Sequence, residues 1–162
     1  MNTATQMTGD VPGMITWAAA NERYSADGKF NKWNFSSVKM KGKDVTTLNA
    51  TVNIDLTSIW EKSDKLVEHL KAWDYFDVAK YQNAQLVISN VRKGRGGMHV
   101  ADMELQMRDK VQKMESQFKV TSTKPLRVVG TANVDRSIFG IGVDNTSVPN
   151  MIEVKYDTVI PN

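Results

Sequence analysis

Cysteine is absent from the 162 residues, which excludes disulfides, thiolate zinc sites and thiol nucleophiles. Both redox compartments remain compatible with that absence. Histidine occurs only as His69 and His99, well separated in sequence, so no recognisable metal set is expected and no metal or cofactor is assigned. No apolar run approaches a membrane span. The opening residues MNTATQMTGDVP lack the basic start and apolar middle of a secretory signal, so the chain is expected to be cytoplasmic or already processed. Charge of one sign is nowhere concentrated: 21 basic and 18 acidic residues are interspersed and give a net +3, which is no signature of nucleic-acid binding. Aromatics beside basic residues in KFNKWNF (29–35) are thin support for base stacking. The glycines of GRGGMH (94–99) precede a strand pattern rather than a helix, so they form a turn and not a phosphate cradle. No nucleophile elbow is present, and the sequons at Asn34, Asn49 and Asn145 are what chance supplies.

What the chain does have is period-two alternation. Leu48, Ala50, Val52, Ile54 and Leu56 fall on one face of a strand, with Asn49, Thr51, Asn53 and Asp55 on the other. The pattern returns with Ala101, Met103, Leu105 and Met107, with Leu126, Val128, Ala132 and Val134, and with Ile152, Val154, Tyr156 and Ile160. Weaker strands fit Met14 to Ala20, Phe30 to Met40, Ala84 to Val91 and Met114 to Val120, for eight in all. Between the Trp33/Phe35 pair and the Val38/Met40 pair the apolar phase slips, as one extra bulge residue would make it. Hairpin turns are expected at ADGK around Asp27-Gly28, KGKD around Gly42, KGRGG (93–97) and RDK (108–110). Eight antiparallel strands with one apolar face hide it by closing into a barrel, whose interior holds either packed side chains or one small ligand. A β-sandwich is the competing geometry.

The rhythm breaks once, over about 58–82. Ser58 with Glu61, and Ser63 before Leu66, are candidate helix starts, and Leu66 and Leu70 lie one helical turn apart. The stretch HLKAWDYFDVAKY (69–81) then places four of the chain's thirteen aromatic residues in a connection. Trp73, Tyr75 and Phe76 are expected to cap or line one end of the barrel, with Phe76 inward and Tyr75 at the rim.

KLVEHLKAWDYFDVAKY, preceded by NIDLTSI and followed by NAQLVISNV, resembles the central signature of the YceI-like family, lipocalin-like polyisoprenoid-binding proteins. ANVDRSIFGI (132–141) and ITWAAANERYSADGKFNKW (15–33) resemble its late and opening segments, so the likeness spans roughly 13–160. The chain departs from the pattern at Gln82, where the family commonly has proline, and at Asp102 and Arg108, at or near family glycines. The resemblance implies an all-β, eight-stranded, antiparallel up-and-down, lipocalin-like barrel with one short helix, as a single domain (13–162) behind a flexible segment (1–12). It also implies an exported, periplasmic bacterial chain in mature form, with a cytoplasmic branch as the alternative.

The function so implied is non-catalytic binding, transport or sequestration of a long-chain amphiphile, an isoprenoid or fatty lipid, in a hydrophobic tunnel. Burying methylenes contributes about 0.8 kcal/mol each, so around twenty carbons supply roughly 16 kcal/mol gross. Association costs on the order of 4 to 15 kcal/mol, which leaves usable affinity without a placed polar group. The expected wall comprises Trp17, Trp33, Phe35, Val52, Ile54, Leu86 and Ile88, the adaptable Met103, Met107 and Met114, and Leu105, Phe118, Phe139, Tyr75 and Phe76. Periodicity alone favours an ordinary core; only the resemblance raises the tunnel above it. His69 and Arg136 are candidate head-group contacts, against structural roles for both, with Asp135 and Arg136 pairing or capping a turn. The alternative is an interaction or structural protein, homodimeric, with a barrel filled by its own side chains. An enzyme ranks third.

Overall fold

The computed structural model describes residues 13–20 and 25–161. Ten strands among the described residues form one sheet: β1 Gly13–Ala20, β2 Ser25–Phe30, β3 Trp33–Lys41, β4 Asp44–Asp55, β5 Ile59–Trp60, β6 Asn83–Lys93, β7 His99–Met107, β8 Lys110–Thr123, β9 Leu126–Asp135 and β10 Met151–Val159. The strand order is β3-β4-β6-β7-β8-β9-β10-β1-β2-β5, and every pairing among the described residues is antiparallel. The pairs β3–β4, β6–β7, β7–β8 and β8–β9 are neighbours joined by links of two to five residues, too short for anything but an antiparallel return. The alternation seen in the sequence becomes inside and outside. In β9, Leu126, Val128, Gly130 and Ala132 are buried while the residues between them are exposed.

The sheet curls into a half-barrel around this shared face, so a closed eight-strand cylinder is not what the pairings give. Two elements account for the difference in count. Where one strand was expected over Phe30 to Met40 there are two, Ser25–Phe30 and Trp33–Lys41, and Ile59–Trp60 adds a short strand against β2. The chain itself links β3, at one end of the strand order, to β2, next to the other end, since only Asn31 and Lys32 separate β2 from β3. They are pinned to a 3₁₀ turn at Leu56–Ser58: Asn31 N donates to Ser58 O (3.1 Å), Lys32 N to Ser58 Oγ (2.9 Å), and Asp55 N to Lys32 O (3.0 Å).

Asp27-Gly28, expected as a turn, lies inside β2 opposite Ala18 and Trp17. Gly28 is needed there for close approach, because a Cβ would stand 2.4 Å from the Trp17 ring and 2.2 Å from the Trp60 carbonyl oxygen. The connection from β1 to β2, and the flexible segment expected over 1–12, lie outside the described residues. The bulge in β3 is present as a register shift between Phe35 and Ser37. Turns at Gly42, 94–97 and 108–109 stand where they were expected.

Ser58 closes the 3₁₀ turn and does not start a helix. The single α-helix among the described residues, α1 (Asp64–Lys71), starts at Ser63, whose Oγ accepts from Leu66 N. Asp64 in its first turn and Lys71 in its last complement the helix dipole. No helix among the described residues is long and apolar enough to cross a membrane.

On the outer face Arg127 grips Asp157 through two bonds, Nε to Oδ1 (2.7 Å) and Nη2 to Oδ2 (2.8 Å). These hydrogen bonds, with the guanidinium charge, hold the Asp157 carboxyl below the usual range for aspartate. A depressed pKa contributes stability that is fully present above the unfolded value of about 3.9 and is lost as pH falls through the lower folded value. Asp157→Asn is therefore expected to melt slightly below wild type at neutral pH. In thermal scans the gap should close as pH drops below about 4, and a gap that persists in strong acid would contradict this origin.

Candidate functional site

The inward faces of the strands do not meet. They leave a hollow of about 200 Å³ with a wall that is almost wholly apolar. Trp17 of β1, Trp33 and Phe35 of β3, Val52 and Ile54 of β4, Leu86 and Ile88 of β6, Met103, Leu105 and Met107 of β7, and Met114 and Phe118 of β8 all stand on this wall. Each occupies the inward phase of its strand, which is why alternation brings residues distant in sequence together.

A hollow of this size has a cost. At about 24 cal/mol per Å³ of unfilled volume, 200 Å³ forfeits about 5 kcal/mol relative to a packed core. That is on the scale of a whole domain's stability of about 5–15 kcal/mol. An apolar cavity of about 150 Å³ stays dry and takes benzene, so the resting hollow admits a somewhat larger apolar group. A longer tail needs the wall to give, and Met103, Met107 and Met114 are its most adaptable side chains.

One end is covered by a cap made from α1, the turn that follows it and the loop 136–150. Leu66, Leu70, Tyr75, Phe76, Ile141 and Val148 all present apolar atoms to the hollow. Phe30 meets Phe76 edge-on at 6.1 Å. Phe76 faces the hollow as expected, but Tyr75 is buried rather than standing at the rim. The reason is the neighbouring loop. Gly142, in a left-handed conformation (φ 58°), lies so close that a Cβ would stand 2.6 Å from the Tyr75 ring. Asn145 Nδ2 donates to the Tyr75 hydroxyl (3.0 Å), and Gly142 N donates to Asp74 O (2.7 Å). Trp73, expected to cap or line the barrel end, instead points outward and is 75% exposed.

Arg108 latches the two parts of the cap. Its Nη1 donates to Tyr75 O (3.2 Å) and to Gly140 O (2.8 Å). It sits at φ 55°, in the left-handed region that a glycine would take without strain. Arginine here thus trades backbone ease for a tether. Asp102, the other departure, is on the outer face with Arg92 (3.0 Å) and Asn90 (2.9 Å) and does not narrow the hollow. Arg108→Ala removes a charged donor from two carbonyls, worth about 1.5–3 kcal/mol per bond. Amide exchange in 72–78 and 138–142 is expected to speed up about tenfold or more, since about 1.4 kcal/mol is a factor of ten. Unchanged protection there would remove the latch from the account.

The two expected head-group contacts are not brought together. Arg136 reaches the wall, but all five of its N–H donors are used by backbone carbonyls of the cap loop. Nε bonds Pro149 O (3.0 Å), Nη1 bonds Ile141 O (2.9 Å) and Gly142 O (2.5 Å), and Nη2 bonds Asn145 O (2.8 Å) and Val148 O (2.6 Å). No donor is left for a head group, so Arg136 offers a ligand charge alone. Asp135 does not pair with it and caps the following turn by accepting from Ser137 N (3.0 Å). His69 is off the wall, exposed on α1, with its ring 4.6 Å from that of Tyr75. Phe139 is also off the wall; it is buried at 2% exposure beneath the loop, where it serves the cap's own core.

Several wall residues were not singled out in the sequence. Val128, Ala132, Val154 and Tyr156 carry the alternation signal already recognised in β9 and β10 and could have been found by it. Ile141 and Val148 lie in an irregular loop, where no periodicity exists to mark them. Tyr156 supplies the main polar feature within the strand wall. Its hydroxyl lies 2.6 Å from Ser116 Oγ, which in turn is 2.7 Å from Thr131 O. Gly130 makes the space, since a Cβ there would stand 2.4 Å from the tyrosine oxygen. Burial pushes the Tyr156 hydroxyl pKa up to about 12, so it stays protonated at neutral pH.

Comparison with known proteins follows this geometry. A family model described as the YceI-like domain matches residues 14–160. BcnA of Burkholderia cenocepacia shares 19% identity at a TM-score of 0.83, covering 94% of this chain and 100% of that one. The YCEI protein of Campylobacter jejuni shares 12% at 0.73, over 88% and 90% of the two chains. A Saccharophagus degradans polyisoprenoid binding domain implicated in plant cell wall breakdown shares 11% at 0.66, over 93% and 96%. At these identities the solved structures speak for the fold alone. None of the curated proteins matches the chain.

Proposed function

The chain belongs to the YceI-like domain family, and on that premise we propose that it is a non-catalytic binding protein that takes up the apolar tail of an isoprenoid or other long-chain amphiphile. The observation that carries the reading is the hollow. An apolar wall that forgoes about 5 kcal/mol of packing stability is well accounted for if an apolar guest restores the contacts. The polyisoprenoid binding domain from Saccharophagus degradans, which shares the fold, supports the same ligand class. In this reading β2 and β3 act as one bent strand through Asn31-Lys32. The sheet then behaves as an eight-stranded closed barrel around the guest, as family membership suggests. Arg136 would favour an anionic over a cationic group near the cap through its charge, without a hydrogen bond.

Native mass spectrometry and solvent extraction of purified protein test this reading. A co-purifying apolar amphiphile, or uptake of a prenol by stripped protein with a rise in melting temperature, is the expected result. Protein that is consistently empty and rejects both isoprenoid and fatty tails would favour the alternative of a self-filled interaction protein.

A further inference from the structure

Polar atoms are scarce on the strand wall, so the direction of the hydrogen bonds at Tyr156 matters. Ser116 is 1% exposed and has one hydroxyl proton. The Thr131 carbonyl, 2.7 Å away, can only accept, so that proton belongs to the Ser116-to-Thr131 bond. The 2.6 Å contact between Ser116 Oγ and the Tyr156 hydroxyl must then be donated by Tyr156. The relay runs Tyr156 O–H to Ser116 O–H to Thr131 C=O and ends on a fixed acceptor. Its open end is the hydroxyl oxygen of Tyr156, a residue of the wall, with acceptor capacity and no proton to offer.

Resting on the tail-binding reading, we infer that the Tyr156–Ser116 relay selects guests carrying a neutral hydrogen-bond donor, a hydroxyl or an amide N–H, over ethers, esters and bare hydrocarbons. A donor completes the relay without rearranging it. A guest that can only accept must either leave its own oxygen unpaired in an apolar site or draw the tyrosine proton away from Ser116, which then lacks its donor. A charged group would bring its desolvation cost to this part of the wall, and the charged residue of the lining, Arg136 of the cap, has every N–H already bonded.

Matched probes decide the point. Geraniol and geranyl methyl ether share a tail and differ in the donor. Wild type is expected to bind the alcohol about fivefold to tenfold more tightly than the ether. In Tyr156→Phe that ratio should fall to about one, with ether affinity little changed and the melting temperature confirming a folded protein. Ser116→Ala frees the tyrosine proton to point at the guest, so the ether should gain relative to the alcohol, an inversion that a purely structural role for the pair does not produce. Equal binding of both probes by wild type, or a preference that survives Tyr156→Phe, would overturn the inference while leaving tail binding standing. Binding of neither probe would overturn both.

Discussion

Arg136→Ala is expected to cost at least about 4 kcal/mol of stability, near the upper end for a single substitution. Five carbonyl oxygens of one loop converge on the guanidinium at 2.5 to 3.0 Å, each accepting one of its five N–H groups. Bonds from a charged donor contribute about 1.5–3 kcal/mol each. They are not additive, but the loss does not stop at the bonds. Without the cation the oxygens are buried, unsatisfied and aimed at one another, and Ile141, Val148 and Tyr75 lose the frame that seats them on the hollow. A buried cation with no carboxylate partner is itself expensive, and exchange of such a charge for an apolar group is sometimes neutral. The carbonyls decide the balance here, because a methyl group gives them nothing. Lysine separates charge from shape: Arg136→Lys keeps the charge but has three donors, so it should recover less than half of the loss. Urea denaturation checks both. An alanine variant within about 1 kcal/mol of wild type would mean that the loop is held by something else.

Ala132→Phe is expected to abolish tail uptake while leaving stability within about 1 kcal/mol of wild type or raising it. Ala132 faces the hollow from β9, opposite Val154 of β10. In a densely packed core, added bulk of this kind costs about 1–3 kcal/mol or more through forced rotamers and backbone shifts. A phenyl ring is the size of the benzene that fills a cavity of about 150 Å³, so it occupies most of the 200 Å³ available here. The ring would gain the contacts that the guest otherwise supplies. The expected pairing is therefore unusual: binding of a prenol at least tenfold weaker, and a melting temperature that no longer rises when the prenol is added. Stability lost by several kcal/mol would show that the space is already filled by side chains.

The strands were legible because one physical rule governs them. A residue's parity along the strand sets its face, and the inward phase of β4, β7 and β8 placed Val52, Met103 and Phe118 on the wall before any fold was known. The split of β2 from β3 was not legible, because it depends on Asn31 and Lys32 bonding to Ser58, a contact made across the fold. Gly28 read as a turn for the same reason. A glycine that makes room for Trp17 and a glycine that turns the chain look alike until the ring is placed over one of them. The aromatic cap was recognised as a unit, but its orientation was not. Tyr75 is pulled in by Gly142 and Asn145, and Trp73 is left outside. Arg136 shows the limit most clearly. Its residue type suits an anion, and nothing local reveals that five carbonyls from 141 to 149 have already claimed it.

A crystal of the protein saturated with a terminally brominated long-chain alcohol tests the central claim most directly, because bromine reports its own position by anomalous scattering. The account predicts a bromine peak inside the sheet's concave face, within van der Waals reach of side chains such as Met103, Met114 and Leu105, with continuous density for the chain. Bromine found only on the outer surface, with the interior closed by those same side chains, would contradict it.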